Sequence, residues 1–279
     1  MSSADAGEQT SERQHVDPGQ RDPTRPEDAA RKSLNVERVL LQFPISHYCE
    51  KARWVLDYKR LPYRIHNQLP GSHAFTNLRL TGRTTVPLLI EDGRGISGSH
   101  AIALHLEACN PERRLLPASE PARSQLEALA REFDKSVAPA VRAFAYGLII
   151  TNTSLFRRLF FQDYRGANKW IGSLIAWPVS RAIARMYELR SPKMRQHPDT
   201  IRRAADSVER QLGAAQYLLE DRFSLADITV ASLLGPIVGP PESPWSYDVE
   251  FPEFQAMRRE FRARPIGDYI SRLYRTHRS

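Results

Sequence analysis

The strongest constraint on the fold of this 279-residue chain is a change of character at the proline-containing link of residues 116–121. Before it, short β-rich runs alternate with helical ones. After it, the apolar pattern is helical almost throughout. Such a chain is expected to fold as two units, a compact α/β domain followed by an all-helical one. Its length suits one large domain or two ordinary ones, and a hydrophobic content of 41% allows a full core.

Residues 1–35 hold few large apolar side chains and many Ser, Asp, Glu, Arg, Gln, Pro and Gly, so a disordered tail is expected. The tail lacks the apolar region of a signal peptide, and Asp5, Glu8, Glu12, Asp17, Asp22, Glu27 and Asp28 make it too acidic for a transit peptide. The first domain is expected over residues 36–114 and the helical one over 120–279. Within the first, residues 36–43 read as a strand closed by Pro44. Tyr48, Ala52, Val55 and Leu56 then recur at helical spacing as far as Lys59. Residues 61–66 read as a second strand, residues 73–80 as a short helical or irregular piece, and residues 86–91 as a third strand. The turn Asp92-Gly-Arg-Gly95 leads to a brief fourth strand at Ile96 and Ser97. Ser99 is expected to cap a helix ending at Cys109, which gives the order β-α-β-α-β-β-α.

In the second domain, residues 120–150 read as one long amphipathic helix, bent near Pro139. Ile201, Ala205, Val208, Leu212, Ala215 and Leu219 form a helical stripe. Phe223-Ser-Leu-Ala-Asp227 carries a capping box between Ser224 and Asp227, with Phe223 and Ile228 spaced as a hydrophobic staple. A last helix is expected over residues 252–275. Between these lies a stretch rich in aromatics (Phe156, Phe160, Phe161, Tyr164, Trp170, Trp177, Tyr187), broken by Gly166, Gly172 and Pro178. It is too interrupted for a membrane span. It reads as core or the wall of an apolar pocket, with a surface lying on a membrane as the alternative.

The turn Ser46-His-Tyr-Cys49 joins the first strand to the first helix. Peptide N–H groups of a new helix point outward there, which favours a bound anion or a thiolate. Two readings fit: Ser46 and Cys49 form the reactive end of a thiol-binding site, or Ser46 is only an N-cap and Cys49 only a small buried residue. Two cysteines, Cys49 and Cys109, make no disulfide framework, and a reducing cytoplasm is the natural compartment. The formal net charge of +8 is concentrated towards the C-terminus. No nucleic-acid motif accompanies it, so it reads as solvated helix faces, with attraction for anionic ligands, acidic lipid or nucleic acid as the alternative. His100 and His105 are five apart rather than at the spacing of a helical metal pair, and no Walker loop, dinucleotide-binding glycine pattern or zinc cysteine pairing is present. No metal is expected.

Four features stand in one order: Ser46-His-Tyr-Cys49 at a strand–helix turn, Thr85-Val-Pro-Leu-Leu89, Ile96-Ser-Gly-Ser-His-Ala-Ile102, and Phe223-Ser-Leu-Ala-Asp227 in a helical domain. Together they resemble the cytosolic glutathione transferase superfamily, over about residues 36–275. The resemblance implies a thioredoxin-like α/β N-terminal domain, an all-α C-terminal domain, and glutathione as co-substrate. It implies a cis bond before Pro87, with the Val86 backbone pairing with the cysteinyl part of glutathione. Ser99 would take the γ-glutamyl carboxylate. Ser46 matches the reactive position of serine-type members, and Cys49 the second cysteine of the redox relatives' Cys-Pro-Tyr-Cys. Loss of the first cysteine argues against dithiol exchange. Leu41-Gln-Phe43 lacks the residue of a tyrosine-type member.

The implied chemistry is a Ser46 hydroxyl stabilising the glutathione thiolate, which attacks a hydrophobic electrophile as in detoxifying conjugation. Cys49 is the alternative reactive group. His47 and Tyr48 would border glutathione, with Arg53 near them. Residues 156–177 would contribute to the electrophile's pocket. A homodimer is compatible with the resemblance, because relatives are commonly dimers. One departure is Gly98, where relatives usually carry the acid that meets the amino group of glutathione; Glu91 is a candidate replacement. Gly98 and the basic C-terminal faces also leave a second reading, a non-catalytic ligand-binding or interaction protein of the same fold.

Overall fold

The computed structural model describes residues 36–149, 153–161, 174, 177–182, 184–185, 195–247 and 251–278. The expected disordered tail lies outside these residues, as do the side chains of Phe160, Phe161, Tyr164, Trp170 and Tyr187. The first domain opens with β1 (Arg38–Gln42), α1 (His47–Tyr58), β2 (Arg64–Asn67) and α2 (Ser72–Thr81). It closes with β3 (Leu88–Glu91), β4 (Arg94–Ser97) and α3 (Ser99–Cys109). This is the order expected of it. The second strand begins three residues later than anticipated, because residues 61–63 are still turning away from α1 after the positive φ of Arg60.

The four strands form one sheet in the order β2-β1-β3-β4. β2 runs parallel to β1, as a strand reached through a helical crossover can, while β3 and β4 are antiparallel to their neighbours. Leu41 pairs with Leu88, so the C-terminal end of β1 and the N-terminal end of β3 share one edge of the sheet. That register places the loop carrying Ser46 beside Val86 and Pro87.

The helical domain starts with α4 (Glu120–Glu132), capped by Ser119. The expected single helix over residues 120–150 is interrupted by a π-helical turn over Phe133–Val137, after which α5 (Ala138–Ile149) continues. Pro139 lacks an N–H, and its ring crowds the carbonyl four residues back, at Lys135. A π turn at that place relieves the conflict without ending the helix. Next come α6 (Thr153–Phe161), α7 (His197–Leu212), α8 (Leu225–Val238), α9 (Pro252–Arg262) and α10 (Pro265–His277). The apolar stripe ends its helix at Leu212, since Gly213 breaks it; Leu219 pairs with Arg222 in an isolated bridge instead. The last helix is two, because Pro265 forces extended backbone on Arg264 and restarts the helix.

Every residue of α8 is buried. An all-round apolar helix belongs at a centre, and α8 packs against α1 of the first domain as well as α9 and α10. Its start is held by the expected capping box: Asp227 accepts from the Ser224 N–H at 2.7 Å, and the Ser224 hydroxyl accepts from Ala226 N–H at 3.3 Å. Its C-terminal carbonyls are met by two arginines of α9. Arg258 donates to Pro236 O and Ile237 O, and Arg262 to Val238 O and Gly239 O. Elsewhere in the basic C-terminal part, Arg202 pairs with Glu260, and Arg264 with Asp206 and Glu209. Arg258 and Arg262 thus serve internal packing, while Arg202 makes its pair at the surface. Among the described residues no helix is long and apolar enough to cross a membrane.

Candidate functional site

Three of the predicted site elements meet at one end of the sheet. β1 leads through Phe43 and Pro44 into Ser46, whose extended backbone makes it the N-cap of α1. Next to this loop stands the Val86–Pro87 peptide, which is cis. The β3 ladders begin at Leu88, so the Val86 backbone lies outside them and half-buried. Pro87 O accepts a hydrogen bond from Gly98 N–H at 3.0 Å, which ties the start of α3 to the same corner. Ser46, Val86 and Ser99 are thus brought together by strand register and one hydrogen bond.

Ser99 is buried, but it is the first helical residue rather than the cap. The N-cap is Gly98, at φ 98°, with no side-chain hydrogen bond to the helix terminus. The Ser99 hydroxyl and the leading N–H groups of α3 are therefore not engaged in capping, an arrangement suited to a carboxylate. A residue with a Cβ would be strained at the Gly98 dihedral, which accounts for glycine there. Glu91 does not substitute for the missing acid. It lies at the opposite end of β3 from Val86, and its carboxylate is held by Arg38 Nε at 2.6 Å and by His105. Glu127 of α4 is a better-placed carboxylate, since His100, next to Ser99, contacts it at 3.2 Å.

Ser46 is nearly buried, with 7% of its surface exposed. Its Oγ accepts from Cys49 N–H at 3.4 Å, a long and weak contact, so its own proton remains free to donate. Cys49 is completely buried. Burial raises its thiol pKa, and this outweighs the lowering influence of Arg53, the Ser46 hydroxyl and the Phe43 backbone. A thiolate at Cys49 is disfavoured, and the side chain packs as a small apolar residue.

The neighbouring residues turn towards the helical domain. The Tyr48 hydroxyl donates to Asp134 O at 3.4 Å, and the Arg142 guanidinium lies 5.9 Å from the Tyr48 ring centre. His47 is buried against α5; burial, with Arg142 adding to it and the Ala138 backbone opposing, lowers its pKa to about 3, so it is neutral. Arg53 braces the turn from behind, donating to Glu50, Gln42 and Pro44 O. Glu50 is buried: desolvation would raise its pKa, but Arg53 and Arg278 together hold it below the usual carboxylate range. Arg278 reaches back from the end of α10 to bind Glu50 at 2.7 Å and Asp57 at 2.6 Å.

Sequence reasoning missed the helical-domain wall of this corner. Trp245 Nε1 donates to Ile45 O at 3.0 Å, fixing the residue before Ser46. A cavity of about 20 Å³ lies between His47, Arg142, Trp245, Tyr247 and Arg258, room for about one water. No local pattern announces Trp245 or Tyr247, which follow a proline-rich loop without periodicity. Of the aromatics expected to line a pocket, Phe156 is fully buried and Trp177 is 59% exposed beneath Arg181. Neither is among the described residues that line that cavity.

Residues 40–114 match the family described as glutathione S-transferase, N-terminal domain. No curated protein matches the chain. Among solved structures, the glutathione transferase GSTFuA3 of Phanerochaete chrysosporium is 17% identical, with a TM-score of 0.59 over 86% of this chain and 97% of that one. The β-etherase LigF of Sphingobium sp. strain SYK-6 is 19% identical, with a TM-score of 0.55 over 84% and 98%. A glutathione S-transferase of Methylobacterium radiotolerans, solved with glutathione sulfonate, is 21% identical, with a TM-score of 0.50 over 84% and 94%. Residues 40–114 thus belong to the glutathione S-transferase N-terminal domain family, and the chain as a whole has the two-domain glutathione transferase fold.

Proposed function

We propose that the chain binds glutathione at the corner formed by Ser46, Val86–Pro87 and Ser99, and reacts its thiolate with a hydrophobic electrophile. The observation that carries this reading is the convergence of those three elements at one end of the sheet. Val86 offers unladdered backbone to a peptide, α3 offers an uncapped N-terminus to its carboxylate, and Ser46 offers a hydroxyl at a second helix N-terminus to its sulfur. The relative solved with glutathione sulfonate supports the choice of ligand. Glu127, held by His100, is the acid assigned to the glutathione amino group in place of the residue that Gly98 displaces.

The reactive role goes to Ser46 rather than Cys49. A donor at the helix terminus stabilises negative sulfur, whereas Cys49 is buried with a raised pKa. Ser46→Ala is expected to lower turnover with a standard electrophile by about 100- to 1,000-fold, since one lost donor to developing charge costs on that order. Glutathione affinity, read by calorimetric titration, should change little. Turnover equal to the parent's would remove Ser46 from the reaction. Silencing by Cys49→Ala alone would transfer the role to Cys49.

A second reading is a non-catalytic binder of the same fold. The near-burial of Ser46 and the single-water size of the cavity behind it favour this alternative. Calorimetry separates the two, because the non-catalytic reading expects no heat of glutathione binding.

A further inference from the structure

Away from the Ser46 corner, three side chains of metal-ligating type meet at the far end of β3. Glu91 is the last residue of that strand, and His105 and Cys109 lie one turn apart on α3, which packs back over β3 and β4. Residues four apart share a helix face, so imidazole and thiol point the same way. The spacing that matters in the sequence is therefore His105 to Cys109, not His100 to His105. A carboxylate oxygen of Glu91, a ring nitrogen of His105 and the sulfur of Cys109 all lie within 4.8 Å of one another. Cys109 Sγ is 3.8 Å from His105 Nε2, and that same nitrogen is hydrogen-bonded to Glu91 Oε2.

We propose that Glu91, His105 and Cys109 form a binding site for a thiophilic divalent cation of the Zn²⁺ class. One thiolate, one imidazole and one carboxylate are a donor set that such an ion accepts, at bond lengths of about 2.0–2.3 Å in tetrahedral geometry. Ligand atoms around a tetrahedral ion stand roughly 3.3–3.8 Å apart by that geometry, and the sulfur–nitrogen separation is already there. The hydrogen bond between His105 and Glu91 has to open, the ion taking the place of a proton that leaves Nε2 for Nδ1 or solvent, and the Glu91 oxygen and the sulfur, within 4.8 Å of one another, have to close on the ion. The Cys109 thiol gives its proton to solvent on binding, so sulfur coordinates as thiolate. Arg38 holds the other Glu91 oxygen at 2.6 Å and fixes the carboxylate's orientation, as an outer-shell partner does. Glu91 is mostly buried while Cys109 is exposed, so the ion enters from the Cys109 side and its fourth position faces water.

The test uses the full chain without glutathione. Cys49 is completely buried, so Cys109 is the thiol that N-ethylmaleimide modifies rapidly in the folded protein. One equivalent of Zn²⁺ is expected to slow that alkylation, read by mass spectrometry, and Cd²⁺ is expected to give a thiolate-to-metal charge-transfer band in the ultraviolet. His105→Gln should weaken the Zn²⁺ protection by at least about tenfold, because losing a ligand costs no less than losing an outer-shell partner. Cys109→Ser, at an exposed position that leaves folding intact, should abolish the Cd²⁺ band. Alkylation indifferent to Zn²⁺ would overturn the site. So would protection undiminished in His105→Gln, or a Cd²⁺ band that persists in Cys109→Ser.

Discussion

Replacing Lys51 with methionine would remove a charge from a place that water does not reach. Lys51 lies on α1 at the junction of the two domains, fully buried, and its Nζ has no hydrogen-bond partner among the described residues. Burial lowers its pKa from 10.5 to about 8, with Asp134 and Glu127 acting in the opposite direction. That lowering is equivalent to about 3 kcal/mol of net cost to the charged form. Between pH 8 and 10.5 the unfolded chain holds a proton that the folded chain has released, so stability rises with pH through that window. Below pH 8 the cost is present in full. Methionine keeps the volume and loses the charge. The net expectation at pH 7 is a stabilisation of about 3 kcal/mol, or about 6–12 °C in Tm for a chain of this size. Urea denaturation of parent and variant from pH 7 to 10.5 is the assay. Their difference should shrink by about 3 kcal/mol across the range, since only the parent titrates there. A variant less stable than the parent at pH 7, with an identical pH dependence, would show that Lys51 is solvated or paired and would refute the reasoning.

Other outcomes follow from the same packing. His47 stays neutral in the folded state down to about pH 3, whereas the unfolded chain protonates it near 6.5. Its contribution is therefore lost progressively as pH falls through that window, and His47→Gln should flatten the acid limb of a urea titration by about 1.4 kcal/mol per pH unit. Asp227 accepts from the N–H groups of Leu218 and Ser224 and from the hydroxyls of Ser224 and Tyr269. Asp227→Ala should cost at least about 3 kcal/mol by leaving buried donors unmatched, measurable as a fall in thermal midpoint. Arg278→Ala leaves the buried Glu50 carboxylate with Arg53 alone and should cost about 2 kcal/mol, below the loss of a sole partner. Gly98→Ala, at φ 98°, should cost about 1 kcal/mol and weaken glutathione binding by displacing the start of α3, both accessible to denaturation and calorimetry.

The parts of the fold legible in the sequence were those written in local chemistry. Strand and helix order in the first domain followed from apolar runs, Pro44, and the Asp92-Gly-Arg-Gly95 turn. The start of α8 followed from Ser224 and Asp227, whose side chains meet only because of their spacing. Boundaries were less legible where a neighbour rather than the residue decides: Pro265 splits the last helix through its effect on Arg264, and Pro139 yields a π turn rather than a bend. For the candidate site, Ser46 could be named from its strand–helix turn, whereas Val86, Pro87 and Ser99 could be named only because the order and spacing of their motifs resemble the glutathione transferase superfamily. Glu91 could not be placed correctly, because a strand's side chains reveal their face but not their end of the sheet.

By itself the sequence determined the elements, the two-part organisation and the caps, since these depend on contacts within a few residues. The tertiary structure alone decided the rest. The antiparallel register of β1 with β3 put Ser46 beside Val86, and the bond from Gly98 to Pro87 brought Ser99 to them. Packing buried Cys49 and raised its pKa, set Trp245 against Ile45, and left the Lys51 Nζ with no hydrogen-bond partner among the described residues. The fold of α3 over β3 joined Glu91 to His105 and Cys109. Each of these depends on residues far apart in the chain, and the desolvation that governs their chemistry exists only once the domains have packed.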